Sequence, residues 1–232
     1  MRKIIVSDVH GNYHTLQRLL FHKVKLQPQD ELYFLGDLID RGPHSKAVID
    51  FVLEEQAKGR KVVCLRGNHE QMLLDAHTHI ADAEIWKNTA GGLETLQSFS
   101  VNSVALIPAN YWHFWENMPY YLELKDAWLV HAGFNFAAKK PLEDTTAMLW
   151  IRKWYKQLNF DKLKKKLIIH GHTPNTKKEI KQSLRDSKNF PVLNIDAGCY
   201  AVWKEGMGRL CAFDLTNRCL YFQRNIDANW FW

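Results

Sequence analysis

Six short motifs carry the groups with which this chain could do chemistry: "SDVHGN" at 7–12, "GDLIDRG" at 36–42, "RGNHE" at 66–70, "HAG" at 131–133, "HGHTP" at 170–174 and "DAGC" at 196–199. Together they offer carboxylates, imidazoles and an amide, the donor types that hold divalent cations. Asp8 and His10 stand two apart at the end of an extended run, and both face one crevice if the strand breaks its alternation at Val9. Asp37 is suited to be a carboxylate shared by two cations, Asn68 offers an amide oxygen, and His131 and His172 add imidazoles. Each of two metals would then have several protein ligands and open positions for water.

A charge count says what such a centre would do. Two divalent cations bring four positive charges, Asp8 and Asp37 remove two, and a bridging hydroxide removes a third. The remaining positive charge favours a phosphate dianion over a neutral substrate. Coordination lowers the pKa of bound water from about 15.7 towards about 7, which makes hydroxide available at neutral pH. The chemistry expected is hydrolysis of a phosphate ester. Each piece is weak alone: Asp-x-His is short, a solitary histidine at a strand end is ordinarily just hydrogen-bonded, and Asn68 could close an Asx turn. Five junctions in which strand end, glycine and donor coincide form a far more specific pattern.

The elements that must position these groups are legible as short β-branched or aromatic runs placed immediately before each motif. They are Lys3 to Val6, Glu31 to Leu35, Val62 to Leu65, Ala127 to Val130, Leu167 to Ile169 and Pro191 to Ile195. Between the first three lie stretches with helical periodicity, marked by Leu16, Leu19 and Leu20 and by Val48, Phe51 and Val52, with Ser45 as the expected N-cap of the second. A βαβαβ beginning requires parallel strands, and in open α/β sheets the functional crevice lies at their carboxyl ends. Residues 82–116 mix helix-like stretches with "AGGLETL" and read as a helical cover over the site, an insertion of about 76–118 in a single domain of residues 1–232. "GRLCAFDL" and "RCLYFQR" make a hairpin. A mostly parallel first half with an antiparallel second half predicts two packed sheets flanked by helices.

The bulk properties agree. A chain of 232 residues, 46% hydrophobic and 24% charged, is globular in composition and long enough for a substantial core. Met1-Arg2-Lys3 runs straight into Ile4-Ile5-Val6, an apolar block too short for a signal peptide, and no later run reaches membrane-spanning length. A cytoplasmic protein with no membrane partner is expected. Cys64, Cys199, Cys211 and Cys219 form no CxxC pair; reduced thiols are expected, although Cys211 and Cys219 flank a hairpin turn. The net charge of +6 is most concentrated at Lys162 to Lys166, read as a solvated helix face. The tail Asn229 to Trp232 is a run of aromatics suited to sealing a core or an interface.

The motifs resemble those of the calcineurin-like metallophosphoesterases, and within them the phosphoprotein phosphatase branch. "SDVHGN", "GDLIDRG", "GNHE", "HAG" and "GHT" are similar to that family's five motifs, in order, over residues 7–173. The resemblance implies an α/β fold, a β-sandwich of two mixed sheets flanked by helices with the active site at the strand C-terminal ends. Carried over by position, Asp8, His10 and Asp37 would hold one metal, and Asp37, Asn68, His131 and His172 the other. His69 would be the general acid, Asp40 would orient its imidazole, and Arg41, Arg152 and Asn68 would meet the substrate phosphate. The implied mechanism is direct attack by a hydroxide bridging two divalent ions, with manganese as the expected occupant and iron or zinc as others the family uses. Ser7 in place of glycine costs no ligand, and "GHTP" in place of "GHTH" together with "RGNHEQML" makes the chain look closest to bacterial and phage-type serine/threonine protein phosphatases. The expected partner is a phosphorylated protein or small phosphoester, with no sequence-specific nucleic acid. Symmetrical dinucleoside tetraphosphate hydrolases share "DVHG", "HAG" and "DAGC" and are the alternative; an inactive binding module is the third reading, and no expected donor is missing.

Overall fold

Strand alternation sets the layers of this protein. In the computed structural model, which describes residues 1–159 and 166–228, the first strand, β1 (Lys3–Val6), sends Ile4 and Val6 to one hydrophobic cluster and Ile5 to another. β2 (Glu31–Phe34) does the same with Leu32 and Phe34 on one side and Tyr33 on the other. Both faces are buried, which is why these strands read as unbroken apolar runs. β3 (Val62–Cys64) completes a parallel trio, with Lys3 opposite Glu31 and Leu32 opposite Val62. The crossovers are α1 (Tyr13–Gln17), which continues as a π-helical turn over Arg18–Val24, and α2 (Ser45–Ala57).

After β3 the chain is helical: α3 (Asn68–Thr78), α4 (Ile80–Ile85), a π-turn at Trp86–Ala90, α5 (Gly92–Ser98) and α6 (Ala109–Glu116). These segments put Trp86, Leu96, Phe99, Tyr111, Trp112 and Trp115 into the cluster that already holds Ile4 and Val6. A second sheet then forms from β4 (Tyr121–Glu123), β5 (Ala127–Val130), β6 (Leu167–His170) and β7 (Val192–Asn194), in that spatial order. The two sheets face each other through Ile5, Tyr33, Leu129, Ile169, Leu193 and Phe213. The far side of the second sheet is covered by Phe134, Met148 of α7 (Thr145–Trp150) and Trp154, packed on Trp128 and Ile168. α8 (Lys177–Asp186) joins β6 to β7 and is N-capped by Thr176, with Glu179 closing a capping box.

The hairpin is formed by β8 (Arg209–Asp214) and β9 (Cys219–Arg224), but it does not belong to a separate antiparallel sheet. β8 pairs antiparallel with β1 and gives the first sheet the order β3-β2-β1-β8-β9. The second sheet is mostly parallel, through β5, β6 and β7, with β4 antiparallel at its edge. The expected split into a parallel first half and an antiparallel second half is therefore corrected. β1 had a free edge on the side away from β2, and the returning chain satisfied its backbone there. Ser45 is not the N-cap of α2 either; that position is His44, and the Ser45 hydroxyl accepts instead from the Asp40 N–H at 3.0 Å.

All four cysteines are free, and Cys211 and Cys219 sit opposite Phe222 and Asp214 rather than each other. Among the described residues no helix is long and apolar enough to cross a membrane. Lys162 to Lys165 and the Asn229 to Trp232 tail lie outside the described residues. Lys166 pairs with Glu123 at 2.7 Å.

Candidate dimetal active site

Because β1, β2 and β3 run parallel in one sheet and β5, β6 and β7 in the other, their carboxyl ends release the motifs along one edge of the sandwich. The backbone there is unusual. Among the described residues nine that are not glycine have positive φ, and five of them are His10, Asp37, Asp40, Arg41 and His172. Each such conformation costs of order 1 kcal/mol or more, and their concentration at one edge marks a site whose geometry the rest of the fold enforces.

Asp37 is the hub. Its carboxylate lies 3.6 Å from His10 Nε2, 3.5 Å from His131 Nε2 and 3.9 Å from His69 Nε2. His131 Nε2 is in turn 3.0 Å from Asn68 Oδ1 and 3.2 Å from His172 Nδ1. Those separations are the edges of a coordination polyhedron: with metal–ligand bonds of about 2.1 Å, neighbouring ligands stand about 3.0 to 3.4 Å apart. Two imidazoles are aimed by backbone carbonyls. His10 Nδ1 donates to Ile39 O at 3.1 Å and His131 Nδ1 to Leu35 O at 2.9 Å, which fixes the tautomer that presents Nε2 to the cluster. Asp8 Oδ2 accepts from the His172 N–H at 2.9 Å, while its buried Oδ1 has no hydrogen-bond partner among the described residues.

The electrostatics ask for cations. Burial pushes the Asp8 carboxyl well up, and the neighbouring Asp196 and Asp37 push it further. Asp196, also buried, is raised to about 7 by burial and by Asp37. Burial likewise works against a charge on Asp37, yet His131, His69, His10 and His172 around it, protonated in the acid range where it would titrate, hold its carboxyl well below the ordinary range. Burial lowers His10 and His131, and takes His172 to about 3, so these rings are neutral at pH 7 with lone pairs to give. An unpaired carboxylate oxygen, clustered buried acids and neutral imidazoles together fit a pair of divalent cations.

His69 stands beside this set and is held differently. Its Nδ1 lies 2.7 Å from Asp40 Oδ2, and its backbone N–H donates to Asp37 Oδ1 at 3.1 Å. Burial disfavours its charge, but Asp37 and the Asp40 hydrogen bond outweigh it and raise the imidazole pKa above the ordinary value. Arg41 and Arg152 are exposed at the mouth. They line a cavity of about 310 Å³ with Asn68, His172 and Tyr200. An Arg41 guanidinium N–H meets His10 Nε2 at 3.0 Å, and the guanidinium lies 4.0 Å from the centre of the Tyr200 ring. Arg152 donates to Thr173 Oγ1 at 3.2 Å. All ten side chains expected from the sequence are thus brought to this edge, although Asp8 reaches the others through the His172 backbone.

Several participants escaped the sequence reading. Glu70 is fully buried and clamps three backbone N–H groups: Asp37 at 2.8 Å, Leu38 at 2.7 Å and Gly67 at 2.9 Å. Burial and the nearby Asp37 raise it to about 7. Its place three residues after Gly67 is the capping-box spacing, a signal that was available. Asp40 is buttressed by Trp86 Nε1 at 2.8 Å and Thr95 Oγ1 at 2.6 Å, contacts across the helical block that no local pattern announces. Trp86 itself is fully buried. Gly67 is not required for a turn conformation, since its φ is −93°. A Cβ there would come within 2.2 Å of Asp37 Oδ1, and one at Gly171 within 2.0 Å of Asp8 Oδ1. His170 faces away: Tyr155 OH lies 2.7 Å from its Nε2, and burial lowers it to about 4.

A two-sheet sandwich with His, Asp and Asn donors converging at its edge defines a metal-dependent phosphoesterase fold and site. The chain belongs to the calcineurin-like phosphoesterase family, whose model matches residues 1–204. It is 28% identical over 230 residues to the asymmetrical bis(5'-nucleosyl)-tetraphosphatase PrpE of Oceanobacillus iheyensis, covering 86% of this chain and 84% of that protein. It is 35% identical over 88 residues to serine/threonine-protein phosphatase 1 of Salmonella typhimurium, and 41% over 81 residues to a symmetrical bis(5'-nucleosyl)-tetraphosphatase of Erwinia tasmaniensis. These alignments cover 38% and 34% of this chain, and only 38% and 28% of the two relatives. The crystal structure of a putative diadenosine tetraphosphatase superposes with a TM-score of 0.60 at 19% identity, covering 95% of this chain and 92% of that one; it shares the fold.

Proposed function

We propose that this protein hydrolyses phosphate monoesters, with phosphorylated serine or threonine in proteins as its substrate class. The observation that carries the reading is the convergence of Asp37, His131, Asn68 and His172 at separations that suit ligands of one cation, beside a histidine held by a buried carboxylate. Asp8, His10 and Asp37 would hold one divalent ion, and Asp37, Asn68, His131 and His172 the other. When bound, the pair supplies charge neutralisation at the phosphoryl group and a nucleophilic water at neutral pH.

The chain's own side chains do the rest. Arg41 and Arg152, at the mouth of the cavity, grip phosphoryl oxygens through their planar forks. His69 gives a proton to the leaving oxygen from Nε2, because its Nδ1 proton is committed to Asp40. Asp40 holds that tautomer and offsets the imidazolium charge, and Trp86 and Thr95 hold Asp40.

A second reading, hydrolysis of a dinucleoside polyphosphate, is supported by the near full-length likeness to PrpE and by aromatic groups at the cavity mouth. Tyr200 lines the cavity, and Trp203, 71% exposed, packs against it with ring centres 5.9 Å apart. Parallel assays decide between the two. The manganese-loaded protein is expected to turn over a phosphoserine peptide with a higher kcat/KM than diadenosine tetraphosphate. The reverse order replaces the first reading by the second, and failure on both and on an aryl phosphate removes the hydrolase reading.

A further inference from the structure

A separate group of metal-binding side chains lies outside the site just described. His14 on α1, His44 immediately before α2, and Asp227 in the segment after β9 each bring one ligand atom within 4.8 Å of the others. Asp227 is fully buried and fixed in place. Its Oδ1 accepts from the His14 N–H at 3.0 Å; its Oδ2 accepts from the Thr15 N–H at 2.8 Å and the Thr15 hydroxyl at 2.6 Å. Those bonds leave Oδ1 with capacity for another partner. His44 Nε2 stands 3.9 Å from that same oxygen, too far for a hydrogen bond and close enough for a shared cation. The two imidazoles meet edge to face with centres 4.9 Å apart, and neither ring hydrogen-bonds to another described residue.

We propose that His14, His44 and Asp227 form a binding site for one ion of the zinc class, distinct from the dimetal centre. Two imidazoles and one carboxylate are a zinc donor set, with the remaining position left to water, whereas manganese and magnesium prefer oxygen-rich sites. Tetrahedral ligands stand about 3.4 Å apart, so binding draws the three atoms together by on the order of 1 Å. The His14 side chain supplies that movement, being exposed, while Asp227 stays pinned. Burial also keeps His44 below its ordinary pKa despite the pull of Asp227 in the other direction, so a lone pair is present at neutral pH.

The placement gives the ion a structural consequence. His14 lies four residues beyond His10, and His44 three beyond Arg41. A bound ion ties the start of α1 and the residue before α2 to the segment after β9, and thus braces the ends of the two loops that feed the catalytic edge. This inference does not depend on which phosphoester is the substrate.

The test compares the full-length protein with His14→Ala, His44→Gln and the double variant, each loaded with manganese and then titrated with zinc. Wild type is expected to take up one more equivalent of zinc than the double variant, and to gain several degrees in Tm on zinc addition where the variants gain little. Aryl phosphate turnover of the manganese-loaded proteins is expected to agree within twofold, which shows that the variants fold and that the catalytic centre is intact. Anomalous diffraction at the zinc edge places the extra ion: a peak among the three side chains supports the site. Equal zinc uptake and equal Tm response in all four proteins, or extra zinc located only at the dimetal centre, overturns it.

Discussion

Asp40→Asn isolates the group that orients the acid from the groups that hold metal. Asp40 is fully buried and accepts three hydrogen bonds: from His69 Nδ1 at 2.7 Å, Trp86 Nε1 at 2.8 Å and Thr95 Oγ1 at 2.6 Å. An asparagine oxygen can face the Trp86 and His69 donors or the Thr95 hydroxyl, so one side of the carboxylate's work is lost whichever way the amide turns. A hydrogen bond to a charged group contributes about 1.5–3 kcal/mol. If the loss of that bond appears as a misoriented ring and a smaller protonated fraction of His69, kcat falls by about 10- to 150-fold, at one decade per 1.36 kcal/mol. Direction in pH follows as well. Against the opposing effect of burial, Asp37 and Asp40 raise the His69 pKa, so removing the Asp40 charge lowers it. The alkaline limb, where His69 loses its proton, then moves to lower pH. Aryl phosphate hydrolysis against pH, with metal content measured on the same samples, reads both effects. Unchanged kcat, or a loss of metal that parallels the loss of kcat, refutes the assignment.

Three further outcomes are expected. His69→Asn removes most turnover while both metals stay bound, whereas Asn68→Ala weakens metal binding itself; metal analysis of the two variants separates the roles, and equal metal loss in both contradicts the division. Arg41→Ala and Arg152→Ala each cost on the order of 1.5–3 kcal/mol in kcat/KM for a phosphomonoester, about 10- to 150-fold, with metal content unchanged; steady-state kinetics with normal KM and kcat would place the arginines outside the phosphate site. Away from the site, Asp30 is held below its ordinary pKa because hydrogen bonds from Arg2 and the Gln27 N–H outweigh burial. That contribution is present above the unfolded-state value of about 3.9 and is lost as pH falls through the lower folded value. Asp30→Asn is thus expected to destabilise by about 1–2 kcal/mol at pH 7 and by less at pH 3; equal urea-midpoint shifts at both pH values contradict it.

Strand ends were legible because fully buried strands carry unbroken apolar runs, and the chemistry follows each run at once, as at Val6-Ser7-Asp8 and Ile169-His170-Gly171-His172. Sheet membership of the hairpin was not, because β8 reads the same whether it pairs with β1 or starts its own sheet; the choice is made by a free edge far away in sequence. Support for Asp40 was hidden for a like reason, since Trp86 and Thr95 lie 46 and 55 residues from it. Gly67 shows a subtler gap. Its backbone angles suit any residue, and the nearness of Asp37 Oδ1, the Asp37 N–H and Glu70 Oε2 to a would-be Cβ explains the glycine. Glu70 could have been read further, for its spacing from Gly67 already marks a helix start. What the spacing leaves out is that its other bonds reach Asp37 and Leu38, so the third motif holds the second in its left-handed turn.

The most direct test of the dimetal assignment is the metal content of wild type and Asp37→Asn, dialysed against manganese and then metal-free buffer, with aryl phosphate turnover measured on each. Among the described residues, Asp37 is the side chain shared by the cluster that holds His10 and the cluster that holds His131 and His172. Wild type is expected to retain two ions per chain and the variant to lose both, with turnover falling by about a thousandfold as several kcal/mol of charge stabilisation disappears. Wild type that binds no divalent ion, or turnover that survives both chelation and Asp37→Asn, contradicts the account.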